Sequence, residues 1–321
     1  MVDKILFVGM GSIGCRHLKN IKKILPSVKI AALRSNKSAI SGQYDNLIDR
    51  TFYNIKDARK FKPDIVFITN PTSVHVETAL EFIDEVKWMF IEKPVSDDLK
   101  KVQKLINQHE NTFIHVACPL RFHPALQYIK NYLEDSTRII NIKIVSGSYL
   151  PDWRPEQDYR ETYCAKNELG GGVSLDLIHE IDYLRWIFGD VHHGYFGSAR
   201  ISELEIDTED ISYGIWKLKK GALCEIHLDY FRKIPQRYME IITEKAVITV
   251  DLINSVITIG DGKNTERIEF DFDRNDMYVK EMQYFLECIV EGKESFNDLY
   301  FAADTLKYAI YMRDNAGIVN L

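Results

Sequence analysis

Gly9-Met10-Gly11-Ser12-Ile13-Gly14 is the first segment whose residue types and spacing could do chemistry. It fits G-x-G-x-x-G, follows a short apolar run and opens a stretch of helical periodicity, the setting that gives this motif its meaning. Gly9 permits a tight turn, Gly11 lets backbone come close to a pyrophosphate, and Gly14 lets a helix lie against a strand. The first N–H groups of that helix, around Ser12 and Ile13, then face the phosphates. The bland reading is a glycine-rich strand-to-helix turn with no ligand. The flanking strand and helix favour dinucleotide binding.

A second feature bears on which dinucleotide. Folds that bind NAD tend to carry an acid about 20 residues after the glycines, on the ribose 2′-hydroxyl. Here that place falls at Arg34-Ser35, and no acid occurs until Asp45. A guanidinium beside a hydroxyl suits a 2′-phosphate, which Arg can grip with two parallel hydrogen bonds. The expectation is NADP(H), with NAD(H) also allowed; the plain alternative is a surface arginine ending a strand.

These residues need elements to hold them. Residues 4–8, 29–33, 64–69, 87–91 and 112–117 are short apolar runs, and 15–25, 74–83 and 97–109 have helical spacing. Buried strands alternating with helices predict a doubly wound parallel sheet of Rossmann type. Beyond residue 121 the pattern changes. Helices are predicted over 124–134 and 172–188, and strands over 138–149, 210–218, 222–231, 237–250 and 255–259. Lys220-Gly221 and Asp261-Gly262 stand where hairpin turns belong. Consecutive strands with short turns predict an α+β domain with a large, mostly antiparallel sheet. Helical stretches at 278–290 and 299–315 follow. The expected division is 1–121 and 122–321.

Composition excludes several classes. A chain of 321 residues has room for two domains, and 45% hydrophobic with 27% charged residues is ordinary for a globular protein. A net charge of −6 argues against a nucleic-acid partner. No run is apolar for long enough to span a membrane, and no secretory cleavage pattern is visible. The five cysteines, at positions 15, 118, 164, 224 and 288, lack C-x-x-C spacing and read as reduced thiols of a cytoplasmic protein. His192-His193 has no companion ligands at zinc spacing, so no metal is expected.

Three further motifs carry a family resemblance. Asn70-Pro71-Thr72-Ser73-Val74-His75 follows the third apolar strand, Glu92-Lys93-Pro94 follows the fourth, and Gly170-Gly171-Gly172 with Asp176, His179 and Asp182 opens a helix in the second half. With the N-terminal glycines, this set resembles the glucose–fructose oxidoreductase/inositol dehydrogenase/MocA family over essentially the whole chain. The resemblance implies that Lys93 lies near the nicotinamide and the reacting hydroxyl, and that Pro94 is cis. It implies that Asp176 and His179 contact substrate, with His179 as acid/base, and that Asn70, Pro71, His75 and Glu92 stand on the cofactor side. For His75, capping or packing of its own helix is an equal alternative. The resemblance also implies a second domain that binds substrate and pairs subunits into a homodimer or homotetramer through its sheet.

One departure is visible: the family usually has four positions from that Asp to that His, and here there are three. Both spacings put the pair on one helix face, and either a one-residue deletion or a local helix distortion would reconcile the counts. The chemistry fits without the resemblance. Oxidising a secondary alcohol needs a base for the hydroxyl proton, for which His is suited. A Lys can stabilise alkoxide-like charge on the oxygen, and a carboxylate can orient the ring or grip a neighbouring hydroxyl.

The stretch between the strand at 138–149 and the glycines is polar and aromatic. Trp153, Arg154, Asp158, Tyr159 and Tyr163 read as a specificity loop, since aromatic faces stack on sugar rings and charged groups meet hydroxyls or carboxylates. Arg154 and Arg160 raise the prospect of an anionic substrate, and Arg121 is placed by the resemblance to join them. The expected function is hydride transfer between a nicotinamide and a hydroxyl or keto group of a sugar, sugar acid, nucleotide sugar or cyclitol. The alternatives are a hydrolase or epimerase that keeps its NAD tightly bound, and a non-catalytic sensor on the same fold.

Overall fold

A computed structural model describes residues 2–35, 44–133, 138–315 and 317–321. The N-terminal part is built from β1 (Lys4–Val8), α1 (Ser12–Ile24), β2 (Lys29–Leu33), β3 (Arg50–Phe52), α2 (Ile55–Arg59), β4 (Ile65–Ile68), α3 (His75–Phe82), β5 (Trp88–Ile91), α4 (Leu99–Ile106) and β6 (Phe113–Val116). Its six strands are all parallel and lie in the order β3-β2-β1-β4-β5-β6. That is the strand order of a dinucleotide-binding Rossmann sheet. The apolar runs become strands because both sheet faces are covered: β1, β4 and β5 are buried almost throughout. Phe7, Phe67 and Phe90 are cross-strand neighbours and stack with 4.8 Å between successive rings. β3 and α2 escape the sequence reading because Arg50-Thr51-Phe52 is a partly exposed edge strand with no apolar run to announce it.

The second part begins with α5 (Pro124–Tyr132) and β7 (Ile139–Gly147), then α6 (Val173–Asp176) and α7 (His179–Phe188). The strands β8 (Val191–Ala199), β9 (Ile211–Leu218), β10 (Leu223–Asp229), β11 (Gln236–Thr243), β12 (Val247–Asp251), β13 (Val256–Gly260) and β14 (Thr265–Glu269) follow. Two long helices, α8 (Arg274–Glu291) and α9 (Leu299–Arg313), precede β15 (Gly317–Asn320). The nine strands form one sheet in the order β14-β13-β12-β11-β7-β10-β9-β8-β15. Every pairing is antiparallel except β7 with β10. The strand expected over 237–250 is two, because Thr243 Oγ1 accepts the N–H groups of Lys245 and Ala246 and turns the chain. Gly221 and Gly262, both at positive φ, supply the expected hairpin turns. Residue 134, the expected end of α5, lies outside the described residues. Along β9 the residues alternate strictly, with Ser212, Gly214, Trp216 and Leu218 buried and Tyr213, Ile215 and Lys217 exposed. One face of this stretch is therefore covered and the other open.

Two compact units result, one of residues 1–118 with 278–306 and the other of 119–277 with 307–321. This differs from a single cut after residue 121. The reason is α8: Met282 and Phe285 are fully buried in the core of the first sheet, and the Phe285 ring stands edge-on to Phe67 at 5.9 Å and to Phe90 at 5.5 Å. Glu281, also buried, accepts the Cys118 N–H at 2.5 Å and lies 3.5 Å from His115 Nε2. Among the described residues, His115, Cys118 and Glu281 are a group with donor atoms close enough to hold a metal ion. The hydrogen bonds of Glu281 to Cys118 and of His115 Nδ1 to Ser295 Oγ, at 2.8 Å, give the trio a structural part in binding α8 to β6. No helix among the described residues is long and apolar enough to cross a membrane, and no disulfide joins the five cysteines.

Candidate active site

The three fingerprint glycines do different things. Gly9 adopts φ +94°, and a Cβ there would sit 2.6 Å from the Asn70 nitrogen; one on Gly14 would sit 2.5 Å from the Gly9 carbonyl oxygen and 2.8 Å from Thr69 Oγ1. Both are closed by the protein's own chain. A Cβ on Gly11 would meet nothing within 4 Å. Gly11 is also the N-cap of α1, with no side chain capping that end and no acid in the first turn. An open backbone at the positive end of a helix of 13 residues is electrostatically favourable to an anion, and Ser12 and Ile13 begin its first turn.

At the end of β2, Ser35 is exposed, while the Arg34 guanidinium is mostly buried and ion-paired with Asp45. The first acid after the fingerprint, distant in sequence, is thus brought to the arginine. A 2′-phosphate has to compete with that carboxylate.

Glu92, Lys93 and Pro94 leave β5 on the same edge of the sheet, the edge where ligands bind in open α/β folds. The Lys93–Pro94 peptide is cis, and Lys93 is half-buried. Glu92 is turned inward: its Oε1 is 2.5 Å from Nε2 of His17, and its Oε2 accepts the Lys93 N–H at 3.1 Å. Burial alone would raise the Glu92 carboxyl, but His17 and Lys93 outweigh it and hold the group below the usual carboxylate range. Glu92, expected on the cofactor side, is thereby tied to α1 and to its own loop. His75 is likewise buried, with Nδ1 2.9 Å from the Pro94 carbonyl oxygen and Nε2 2.8 Å from that of Asn70. These contacts are those of the packing reading. Asn70 is half-buried and donates to Thr78 Oγ1 at 2.8 Å, and Pro71 is exposed at the turn that follows.

In the second unit the helix expected over 172–188 is broken. Asp176 ends α6, Leu177 takes φ −95° and ψ 29°, and α7 starts at His179. The three-position spacing thus comes with a distortion between the two side chains and not with one straight helix face. Asp176 is buried, and Tyr230 O–H donates to its Oδ2 at 2.5 Å. Tyr163 and Cys164 also hydrogen-bond it. Burial first, then the Asp176 charge, pushes all three of these groups well above their ordinary values, so each stays protonated as a donor. Trp153 stands edge-on to Tyr230 at 5.3 Å and donates through Nε1 to Ser148 Oγ at 2.7 Å. The Arg154 guanidinium lies 5.6 Å from the Tyr163 ring centre. Trp153, Arg154 and Tyr163 are thereby gathered around Asp176, and His179, half-buried, begins the next helix.

The glycine triplet explains part of this gathering. A Cβ on Gly171 would sit 2.2 Å from the Tyr163 carbonyl oxygen, and one on Gly172, at φ +107°, 2.4 Å from Glu209 Oε2. The glycines let α6 press onto the segment that delivers Tyr163 and Cys164.

Three expected substrate contacts have partners within the protein. Arg121 is fully buried, and its guanidinium meets both oxygens of Asp182 at 2.7 and 2.8 Å while facing the Trp186 ring at 5.7 Å. A charge so enclosed is held by Asp182 within the fold, where the resemblance had placed Arg121 beside the substrate. Asp158 is bound by its neighbour Arg160 through several hydrogen bonds, and Arg160 also pairs with Glu205. Tyr159 accepts the Glu205 N–H at 3.2 Å. Both residues brace their own loop. Tyr230 and His17 were missed by sequence reasoning, since nothing local sets either apart.

Models of known families match both parts of the chain. The oxidoreductase family with an NAD-binding Rossmann fold, GFO/IDH/MocA, matches residues 4–117, and the GFO/IDH/MocA C-terminal domain matches 131–249. The chain is 32% identical over 235 residues to the uncharacterized oxidoreductase YrbE of Bacillus subtilis, covering 68% of this chain and 64% of that protein. It is 25% identical over 314 residues to myo-inositol 2-dehydrogenase of Thermotoga maritima, covering 90% and 89% of the two chains. Among solved structures, an oxidoreductase from Agrobacterium radiobacter in complex with NAD+, L-tartaric acid and magnesium superposes with a TM-score of 0.86 at 16% identity, over 100% of this chain and 98% of that one. With its N-terminal glycines, its Glu-Lys-Pro loop and both domain models in place, the chain belongs to the GFO/IDH/MocA family of NAD-binding oxidoreductases.

Proposed function

We propose that this oxidoreductase is a dehydrogenase that oxidises a secondary hydroxyl of a sugar, sugar acid, nucleotide sugar or cyclitol with NADP(H), and accepts NAD(H) less well. The observation that carries the reading is the fingerprint geometry: Gly9 and Gly14 are closed by their own chain, while Gly11 stands open at the uncapped start of α1. Gly11, Ser12 and Ile13 would hold the pyrophosphate, and Arg34 with Ser35 the adenosine ribose end. A bound nicotinamide dinucleotide supplies the hydride acceptor. His179 takes the hydroxyl proton, Lys93 stabilises the developing negative charge on that oxygen, and Asp176 grips a neighbouring hydroxyl through the carboxylate that Tyr230 and Tyr163 hold in place. Arg154, beside Tyr163, favours an anionic member of the substrate class.

Cofactor titration by nicotinamide fluorescence, followed by a screen of polyols, sugar acids and nucleotide sugars, tests this reading. NADPH is expected to bind more tightly than NADH. Arg34→Ala is expected to weaken NADPH by roughly 1.5–3 kcal/mol, the scale of a charge-assisted bond. Asp45→Asn, which frees the guanidinium and removes a like charge, should shift the preference further toward NADPH. Equal affinities untouched by either substitution refute the NADP(H) preference. Absence of any dinucleotide binding refutes the function. Cofactor that survives gel filtration, with no net NADPH formed from any substrate, indicates a hydrolase or epimerase instead.

The open face of the second sheet suits subunit pairing. Tyr195 and Ile215 are register partners on β8 and β9, Tyr213 follows on the same face, and all three are exposed. Apolar surface of this kind marks association. Light scattering is expected to show a dimer or tetramer, and Ile215→Glu with Tyr213→Glu to yield monomers that still bind cofactor. A clean monomer of the unsubstituted protein would overturn the proposal.

A further inference from the structure

Lys93 is flanked by two residues, and each is held by a buried imidazole from a different helix. On one side, His17 of α1 reaches Glu92 Oε1 at 2.5 Å, and the other Glu92 oxygen accepts the Lys93 N–H at 3.1 Å. On the other side, His75 at the start of α3 lies 2.9 Å from the Pro94 carbonyl oxygen and 2.8 Å from that of Asn70. We propose that His17 and His75 are positioning residues for Lys93, His17 acting through Glu92 and His75 through Pro94.

Packing alone does not account for these rings. His17 is fully buried with Phe90 and Tyr278 edge-on to it at 5.1 and 6.1 Å, surroundings that an apolar ring would fill as well. Burying a polar ring and a carboxylate costs solvation, which for the ring is recovered in its contact with Glu92. His17 Nδ1 has no hydrogen-bond partner among the described residues, so the ring's polar interaction is directed at Glu92. His75 connects the loops that follow β4 and β5, neighbouring strands of the sheet, at their carboxyl ends. Burial lowers its pKa and keeps it neutral, so its single N–H serves one of the two carbonyls at a time. Three successive residues are thus fixed to two helices. The Lys93 amine, at the end of a flexible stem, starts from a backbone with little freedom, and preorganised groups of this kind are the effective ones in catalysis.

The inference rests on the reading that Lys93 meets the reacting oxygen, and its test is separate from turnover. The NADH-loaded protein is methylated on its lysines with 13C-formaldehyde and a reductant, and the Lys93 dimethylamine signal is assigned by its loss in Lys93→Arg. In the unsubstituted protein this signal should stand apart from those of the exposed lysines. His17→Phe and His75→Leu should each move it among them while NADH affinity is kept, and His17→Gln, which retains a donor for Glu92, should bring it back. Should His17→Phe fail to fold, Glu92→Gln serves, since it keeps the shape and removes the charge. A Lys93 signal already among the exposed lysines, or one unmoved by the substitutions, overturns the proposal. Unchanged turnover in Lys93→Ala would refute the assigned role of Lys93 and leave the resonance test of its position intact.

Discussion

His179→Ala is expected to lower turnover by roughly 10²–10⁴-fold, the contribution of a positioned acid or base, with cofactor affinity nearly unchanged. An alcohol can surrender hydride only as its proton leaves, and an imidazole with a pKa close to neutrality is the side chain matched to that transfer. The structure gathers the donors Tyr163, Cys164 and Tyr230, with the Trp153 ring edge-on to Tyr230, around the buried Asp176 carboxylate just before His179. Lys93→Ala is expected to act on turnover to a similar degree, because the charge it answers develops as the proton departs. Lys93→Arg should not restore activity, since the guanidinium cannot present a compact point charge in the same place. The measurement is kcat and KM for the substrate found in the screen, with Kd for the cofactor taken alongside. If both alanine variants keep turnover within about tenfold, a loss small for a general acid or base, the assignment of the active site is wrong.

Asp182→Ala is expected to destabilise the second unit by about 3–5 kcal/mol, the cost of breaking a buried ion pair on one side only. Arg121 is wholly enclosed, and the two hydrogen bonds from its guanidinium to Asp182 balance a charge that water cannot reach. Arg121→Met should cost less than Asp182→Ala, because it removes the enclosed cation and leaves a carboxylate that retains some exposure. Combining Arg121→Met with Asp182→Leu should recover much of the loss, as isosteric apolar replacements of buried pairs do. Urea denaturation of the four proteins decides the matter. A loss under about 1 kcal/mol for Asp182→Ala, the scale of an exposed pair, would mean that the guanidinium is not confined as described.

The sequence by itself determined whatever depends on neighbours along the chain. The runs that became β1 and β2 were legible to the residue, because a strand buried on both faces is apolar along nearly its whole length, here all but the leading lysine of each. Gly9 and Gly14 were legible because a turn and a helix contact each exclude Cβ at a fixed spacing, whereas the backbone at Gly11 stands open. The motifs around Lys93 and His179 stood out through family resemblance, while the helix read as continuous over 172–188 is two, broken after Asp176. Only the tertiary structure decided the partners. His17 meets Glu92 across 75 positions, Tyr230 meets Asp176 across 54, and Arg121 meets Asp182 across 61. Nothing local distinguishes an arginine bound for substrate from one bound for a buried aspartate, or a helix interrupted after Asp176 from a continuous one. It likewise took the packed core to show that α8, more than 150 positions after β6, completes the first sheet. Periodicity and backbone sterics act between adjacent residues, whereas charge pairing and close packing act through space, and their outcome is settled only when the chain has folded.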